Sequence, residues 1–311
     1  MSRSHWLVLA LAILGGFNAG IVWMIQFSCY PLWPYVGRNE FGSYYAFWRQ
    51  TTLGLVTLPS AMTAIGAVLL LFVATPELPR WSRWIGLGLQ AAIQLGSWFW
   101  LRPIEQKIAT PAEGLNVAAF QQLLAANWAR IGLVTAYAAL AVWMIARCLW
   151  ATPDPGRDRR LLLVTSALSL YGLGNVWLVQ LACYRLWQYV GSREAFAYHN
   201  AWWHSIWGVL FIPAGVVFLG SFALLWIRPK GVARRAARIG LTFQLLTYGL
   251  TAVWWGPLMA RLVTSDAGLS LRLYHLLMTT HWLRVGLVTA YAVTCCSMLV
   301  RSATRPQWKE T

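Results

Sequence analysis

Two copies of one sequence make up this chain. Sliding the first half by 154 residues lays it on the second without a gap. Trp23 falls on Trp177, Gln26 on Gln180, Cys29-Tyr30 on Cys183-Tyr184, Trp33 on Trp187 and Tyr35-Val36-Gly37 on Tyr189-Val190-Gly191. Further along, Pro59 meets Pro213, Gln90 meets Gln244 and Pro103 meets Pro257, and LVTAYA stands at both 133–138 and 287–292. A single register held over so long a stretch is the mark of a duplicated folding unit, not of a short solenoid motif. Whatever one half folds into, the chain must fold into twice.

What a half can fold into is limited by its charge content. Hydrophobic residues make up 59% of the chain and charged residues 11%, against roughly 25% charged in a soluble domain. So few charges cannot clothe a water-facing surface, and lipid must be the main solvent. Eight apolar runs stand at about 6–29, 51–73, 84–101, 131–149, 160–183, 205–227, 239–260 and 285–300. A membrane-crossing helix needs about 20 such residues, and lipid forces backbone groups to pair within each segment. The expected fold is therefore all-α: a polytopic membrane protein of eight transmembrane helices. The first run has the position of a signal peptide, but it is too long for one and its copy lies mid-chain, which predicts a retained span.

The net charge of +16 suggests nucleic acid until the charges are placed. Of the Lys and Arg residues, 15 fall in the segments on the side of both termini and 10 in the longer segments opposite. That bias places both termini in the cytoplasm, and the cluster Arg228 to Arg238 against anionic lipid headgroups; no nucleic-acid partner is expected. Pro153, Pro155 and Gly156 mark a linker over 151–157 between repeats at 1–150 and 158–311. Four spans per repeat is an even number, so the second repeat re-enters from the same side. The halves are then parallel, related by a pseudo-twofold axis along the membrane normal, in the inner membrane of a bacterium.

Within each half, a long aromatic connector joins the first two spans, Tyr30 to Gln50 and Tyr184 to His204. Pro31, Pro34, Gly37 and Gly42 argue against one continuous helix there, and its rings suit the outer headgroup level. No Asp, Glu, Lys or Arg lies well inside a run, which weighs against proton-coupled transport. Gln26, Gln90, Gln180 and Gln244 are the polar residues at depth present in both copies; they suit interhelical hydrogen bonds or contacts to a ligand. Glu40 with Arg130, and Glu194 with Arg284, are expected to form twin ion pairs that clamp the connector onto the bundle. His199, His204, His275 and His281 all lie on the predicted outer side, and the first half has Tyr45, Gln50, Gln121 and Asn127 in their places. Imidazole is the commonest metal ligand, so these four are candidate ligands of a metal or haem, with a polar pocket lining as the alternative. Cys29 and Cys183 are equivalent; packing residues or a disulfide between the halves are both open. Gly-rich phosphate loops are absent, and no nucleophile has a base beside it in sequence.

The residues Gln26…Tyr30-Pro31-Leu32-Trp33…Val36-Gly37…Glu40-Phe41…Tyr44 and Asn127-Trp128-x-Arg130 give each half a resemblance to a group of small uncharacterised bacterial membrane proteins of four spans. The resemblance implies a tandem duplication of that unit and supplies no reaction. The group often carries His just before its Tyr-Pro pair, where this chain has Cys29 and Cys183. It also carries His after the third span, where this chain has 104–106 and 258–260. The preferred expectation is a ligand-binding or accessory membrane protein, with no catalytic residue assigned. Its pocket opens outward and is lined by His199, His204, His281, Tyr198, Gln180 and Gln244. The alternatives are a membrane oxidoreductase or haem or copper protein using the second-repeat histidines, and a carrier for a neutral small solute.

Overall fold

The computed structural model describes residues 2–73, 75–110, 114–150, 156–264 and 268–303. Residues 151–155 of the expected linker lie outside them. Within them the chain is almost wholly helical. Its long segments are α1 (Arg3–Tyr35), α2 (Phe41–Phe72), α3 (80–105), α4 (Val117–Trp150), α5 (Arg157–Tyr189), α6 (Ala195–Ala223), α7 (234–260) and α8 (Leu271–Ala303). Six of these, all but α3 and α7, are long and apolar enough to cross a membrane. The other two are diluted by polar side chains: Gln90, Gln94 and Ser97 in α3, and Thr242, Gln244 and Thr247 in α7.

Element bounds recur at the offset that relates the sequences. Each half has three five-residue π-helical turns, at 25–29, 53–57 and 97–101 and again at 179–183, 207–211 and 251–255. Five of the six are followed two residues later by a proline: Pro31, Pro59, Pro103, Pro213 and Pro257. Proline cannot donate a backbone bond and its ring strikes the carbonyl four residues back, so the helix widens ahead of it. At 179–183 Arg185 replaces the proline, so proline is not the whole cause there. It does shape the next turn of the chain: Tyr30–Tyr35, with Pro31 and Pro34, is a 3₁₀ stretch, whereas Tyr184–Leu186, with Arg185, begins as α-helix. Two-stranded hairpins, Ala109–Thr110 with Gly114–Leu115 and Val263–Thr264 with Gly268–Leu269, connect α3 to α4 and α7 to α8. Gly114 and Gly268 sit in them at φ 72° and 67°, a left-handed conformation that suits glycine.

In each half the four helices close a ring: α1 against α2 and α4, α3 between α2 and α4, and the same for α5 to α8. The halves join through α1 and α5, the most enclosed of the six apolar helices. They cross backbone to backbone. A methyl on Gly20 would strike the carbonyl of Tyr171, and one on Gly174 the carbonyl of Phe17. Helices in lipid have no hydrophobic drive to associate with each other, and small residues at the crossing allow the close van der Waals contact that replaces it. Around the crossing, Cys29 Sγ lies 3.3 Å from Cys183 Sγ, both as free thiols, and the Tyr44 and Tyr198 hydroxyls are 2.9 Å apart.

The connector is shorter than its sequence suggests. The helix is interrupted only around 36–40 and 190–194, because α2 begins at Phe41 and α6 at Ala195. Tight bonds to the carbonyls of Gly37 and Gly191 turn the chain there: Phe41 N at 2.9 Å and Ala195 N at 2.9 Å. Tyr30, Trp33, Phe41, Tyr44 and Trp48 are buried in the core, so these rings hold the structure together instead of forming an interfacial belt. Trp98, Trp100, Trp128, Trp207, Trp254 and Trp282 are exposed.

Candidate functional site: one cavity inside each helical ring

Each ring encloses a cavity at the same place, walled in part by its π-helical turns. The widened turns set backbone out of register and re-aim side chains, as π-turns at functional sites do. The cavities differ in chemistry. That of the first half, with a volume of about 270 Å³, is lined by Arg49, Arg102, Glu105 and Arg130 together with Tyr30 and Gln94. Glu105 lies in the field of Arg130, Arg49 and Arg102, Arg102 stacks 4.4 Å over the Trp98 ring, and Gln94 donates to Ser60 Oγ at 2.9 Å. The second-half cavity, about 80 Å³, is mostly apolar. Met259, Trp203 and Gly256 stand where the first half has Glu105, Arg49 and Arg102. Of the four charges only the α4 arginine is kept, as Arg284 on α8.

Arg284 faces this cavity with no acidic residue among its neighbours. Its surroundings are the phenols of Tyr184 and Tyr248 and the Trp255 ring, 5.5 Å from the guanidinium. One helical turn earlier, His281 is fully buried and also lines the cavity. Gln180 Nε2 donates to the Met278 carbonyl at 3.2 Å, which turns its Oε1 toward His281 Nδ1 at 2.7 Å. An amide oxygen only accepts, so Nδ1 carries the proton and Nε2 is left as a bare acceptor. That Nε2 is buried and has no hydrogen-bond partner. A fixed guanidinium and a fixed lone pair therefore share one apolar chamber. In the first half Asn127 takes the place of His281, and its Nδ2 donates to Gln26 Oε1 at 2.7 Å.

The other expected site residues scatter. Gln180 positions His281 and has no amide group left for a ligand. Gln244 lines the cavity. Tyr198 is buried at the junction of the halves against Tyr44, away from both cavities. His204 is exposed with Nδ1 2.8 Å from the Asn200 carbonyl, His275 is exposed, and His199 packs edge-on against Trp187 at 5.4 Å. No three of His199, His204, His275 and His281 gather as metal ligands among the described residues. They are carried on different faces of α6 and α8: His204 and His275 face outward, His199 is half-buried with its Nε2 enclosed beside Trp187, and His281 lines the second-half cavity.

The twin ion pairs do not form. Among the described residues neither Glu40 with Arg130 nor Glu194 with Arg284 makes an ion pair. Glu40 and Glu194 precede α2 and α6, and their carboxylates converge on Gly37 and Gly191 between the halves. Arg130 and Arg284 lie well inside α4 and α8, which begin at Val117 and Leu271, and point into the cavities. The helices thus extend beyond the apolar runs, and each arginine stands inside its helix one residue before the run begins. The polar stretch before each arginine is helix, not loop. Comparison with family models, with curated proteins and with solved structures gives no match.

Proposed function

We propose that the chain is a membrane protein whose second-half cavity binds a lipophilic weak acid: an apolar body ending in one carboxylate or phenolate oxygen. The observation that carries this reading is Arg284, a guanidinium in an apolar chamber without a carboxylate to neutralise it. A buried charge is costly unless paired, and an acidic ligand oxygen would supply the missing partner through a charge-assisted bond. His281 Nε2 would accept from the same head group when it is protonated. Lipid-dissolved ligands suit the setting, since the chamber lies within a ring of apolar helices.

The setting itself is part of the proposal. All eight helices cross the bilayer as two parallel four-helix units about an axis along the membrane normal, with both termini cytoplasmic and Arg228 to Arg238 at anionic headgroups. The repeated element bounds, the resemblance of each half to four-span proteins and the distribution of Lys and Arg support it. The test of the ligand is a fluorescent long-chain fatty acid and its methyl ester, titrated into purified full-length protein. The acid should bind more tightly than the ester, and Arg284→Ala should remove that preference. A bond to a charged group is worth about 1.5–3 kcal/mol, or about ten- to a hundredfold in affinity. Equal binding of acid and ester to the unaltered protein, or an acid preference that survives Arg284→Ala, would overturn the reading.

A further inference from the structure

At the end of the first half that carries the N-terminus, three different donor groups meet from three separate elements. His5 comes from the first turns of α1, Glu77 from the loop between α2 and α3, and Cys148 from the last turns of α4. One donor atom from each lies within 4.8 Å of the other two. His5 Nε2 and Glu77 Oε1 are 3.4 Å apart. Both His5 Nε2 and the second oxygen, Glu77 Oε2, are buried atoms without a hydrogen-bond partner. Cys148 is buried and unoxidised. A plain His–Glu ion pair would leave neither the orphaned oxygen nor the adjacent thiol explained.

We infer that His5, Glu77 and Cys148 form a binding site for a single zinc-class divalent cation. Imidazole nitrogen, thiolate sulfur and carboxylate oxygen are the ligand types of tetrahedral zinc, and three protein ligands leave a fourth position for water or another donor. The thiolate favours zinc over magnesium or calcium, which prefer all-oxygen sets. Binding would displace the Cys148 thiol proton to solvent, leaving the sulfur as the ligand. It would also move the His5 proton to Nδ1, which now accepts from Ser2 N at 3.3 Å, so loading exchanges that capping bond for the metal bond. The site belongs to one half only. Arg159, Gly231 and Ser302 occupy the equivalent positions in the second, so the duplication did not carry it across. It ties the start of α1 to the end of α4, away from the acid-binding chamber, and stands or falls independently of it.

The experiment uses full-length protein stripped with chelator and titrated with cobalt(II) as the zinc surrogate. One equivalent should bind and give a thiolate-to-cobalt charge-transfer band. Cys148→Ser should abolish the band, His5→Ala and Glu77→Gln should weaken cobalt binding at least tenfold, and His275→Ala should change nothing. The unaltered chain provides a second readout that no folding defect can confound. Zinc should protect Cys148 from a small maleimide, read by peptide mass spectrometry, while leaving the labelling of Cys296 unchanged. Absence of a stoichiometric cobalt complex, a band that survives Cys148→Ser, or equal Cys148 labelling with and without zinc would each overturn the site.

Discussion

A hydrogen-bond chain of three groups decides the chemistry of the second-half chamber. The Met278 carbonyl orients the Gln180 amide, the amide fixes the His281 tautomer, and the tautomer leaves Nε2 open. Two substitutions separate positioning from binding. Gln180→Leu leaves the buried His281 Nδ1 unsatisfied, at a cost of about 1–3 kcal/mol. It should lower both thermal stability and affinity for the fatty-acid probe. His281→Asn recreates the first-half arrangement, in which Asn127 bonds to Gln26 at 2.7 Å. It should keep the stability and lose probe affinity, measured by thermal unfolding and titration of the same preparation. If both variants change stability alike, His281 is a packing residue. At this scale the sequence was only partly legible. Gln180 and His281 stood out as polar residues in an apolar chain. Nothing in their spacing told that one serves the other, since 101 residues separate them. Arg130 and Arg284 were paired with the wrong partners because the polar residues before them resemble a loop, whereas they are helix. His5, Glu77 and Cys148 have no spacing motif at all, and only the fold assembles them.

At the scale of elements, the α1–α5 crossing is the feature on which the joining of the halves depends. It was not foreseen from the sequence, although Gly16-x-x-x-Gly20 in the first apolar run has the small-residue spacing that lets membrane helices touch. The second half departs from it: Leu170 stands opposite Gly16, and a Cβ there would meet Leu170 Cβ at 2.7 Å. A large residue therefore packs onto the small one. Gly20→Val and Gly174→Val each drive a branched side chain into a backbone carbonyl that cannot yield. Each should lower the melting temperature markedly. Each should also reduce oxidative cross-linking of Cys29 to Cys183, whose sulfurs now lie 3.3 Å apart, measured by non-reducing peptide mapping of the full chain. Gly132→Val, where a Cβ meets nothing within 4 Å, is the control and should leave cross-linking unchanged. The π-helical turns were less legible. Proline two residues on accounts for five of them, and the one preceding Arg185 shows that proline does not explain them all.

Seen whole, the molecule has one architecture and two chemistries. Both halves have the ring of four helices, the crossing glycines, the tryptophan bonds from α1 to α4 and from α5 to α8 (Trp23 to Thr135 at 2.9 Å, Trp177 to Thr289 at 3.4 Å) and the cavity inside each ring. They differ in the contents. One chamber holds three arginines and a glutamate, the other a lone arginine beside a histidine. The architecture could be read from the sequence because apolar runs and a constant offset act over the whole chain. The contents could not, because a cavity is defined by which faces of four helices turn inward, and the runs are apolar all round.

The central claim is that two alike units stand side by side and point the same way. It is tested most directly by single cysteines placed in a cysteine-free chain at Ser2 and Gly156, and at Ser43 and Ala197, all exposed positions. The readout is labelling of intact cells with a membrane-impermeant maleimide. The account predicts that Ser43→Cys and Ala197→Cys label at once, and that Ser2→Cys and Gly156→Cys label only after the membrane is opened. Finding Ser2→Cys and Gly156→Cys on opposite faces would contradict it.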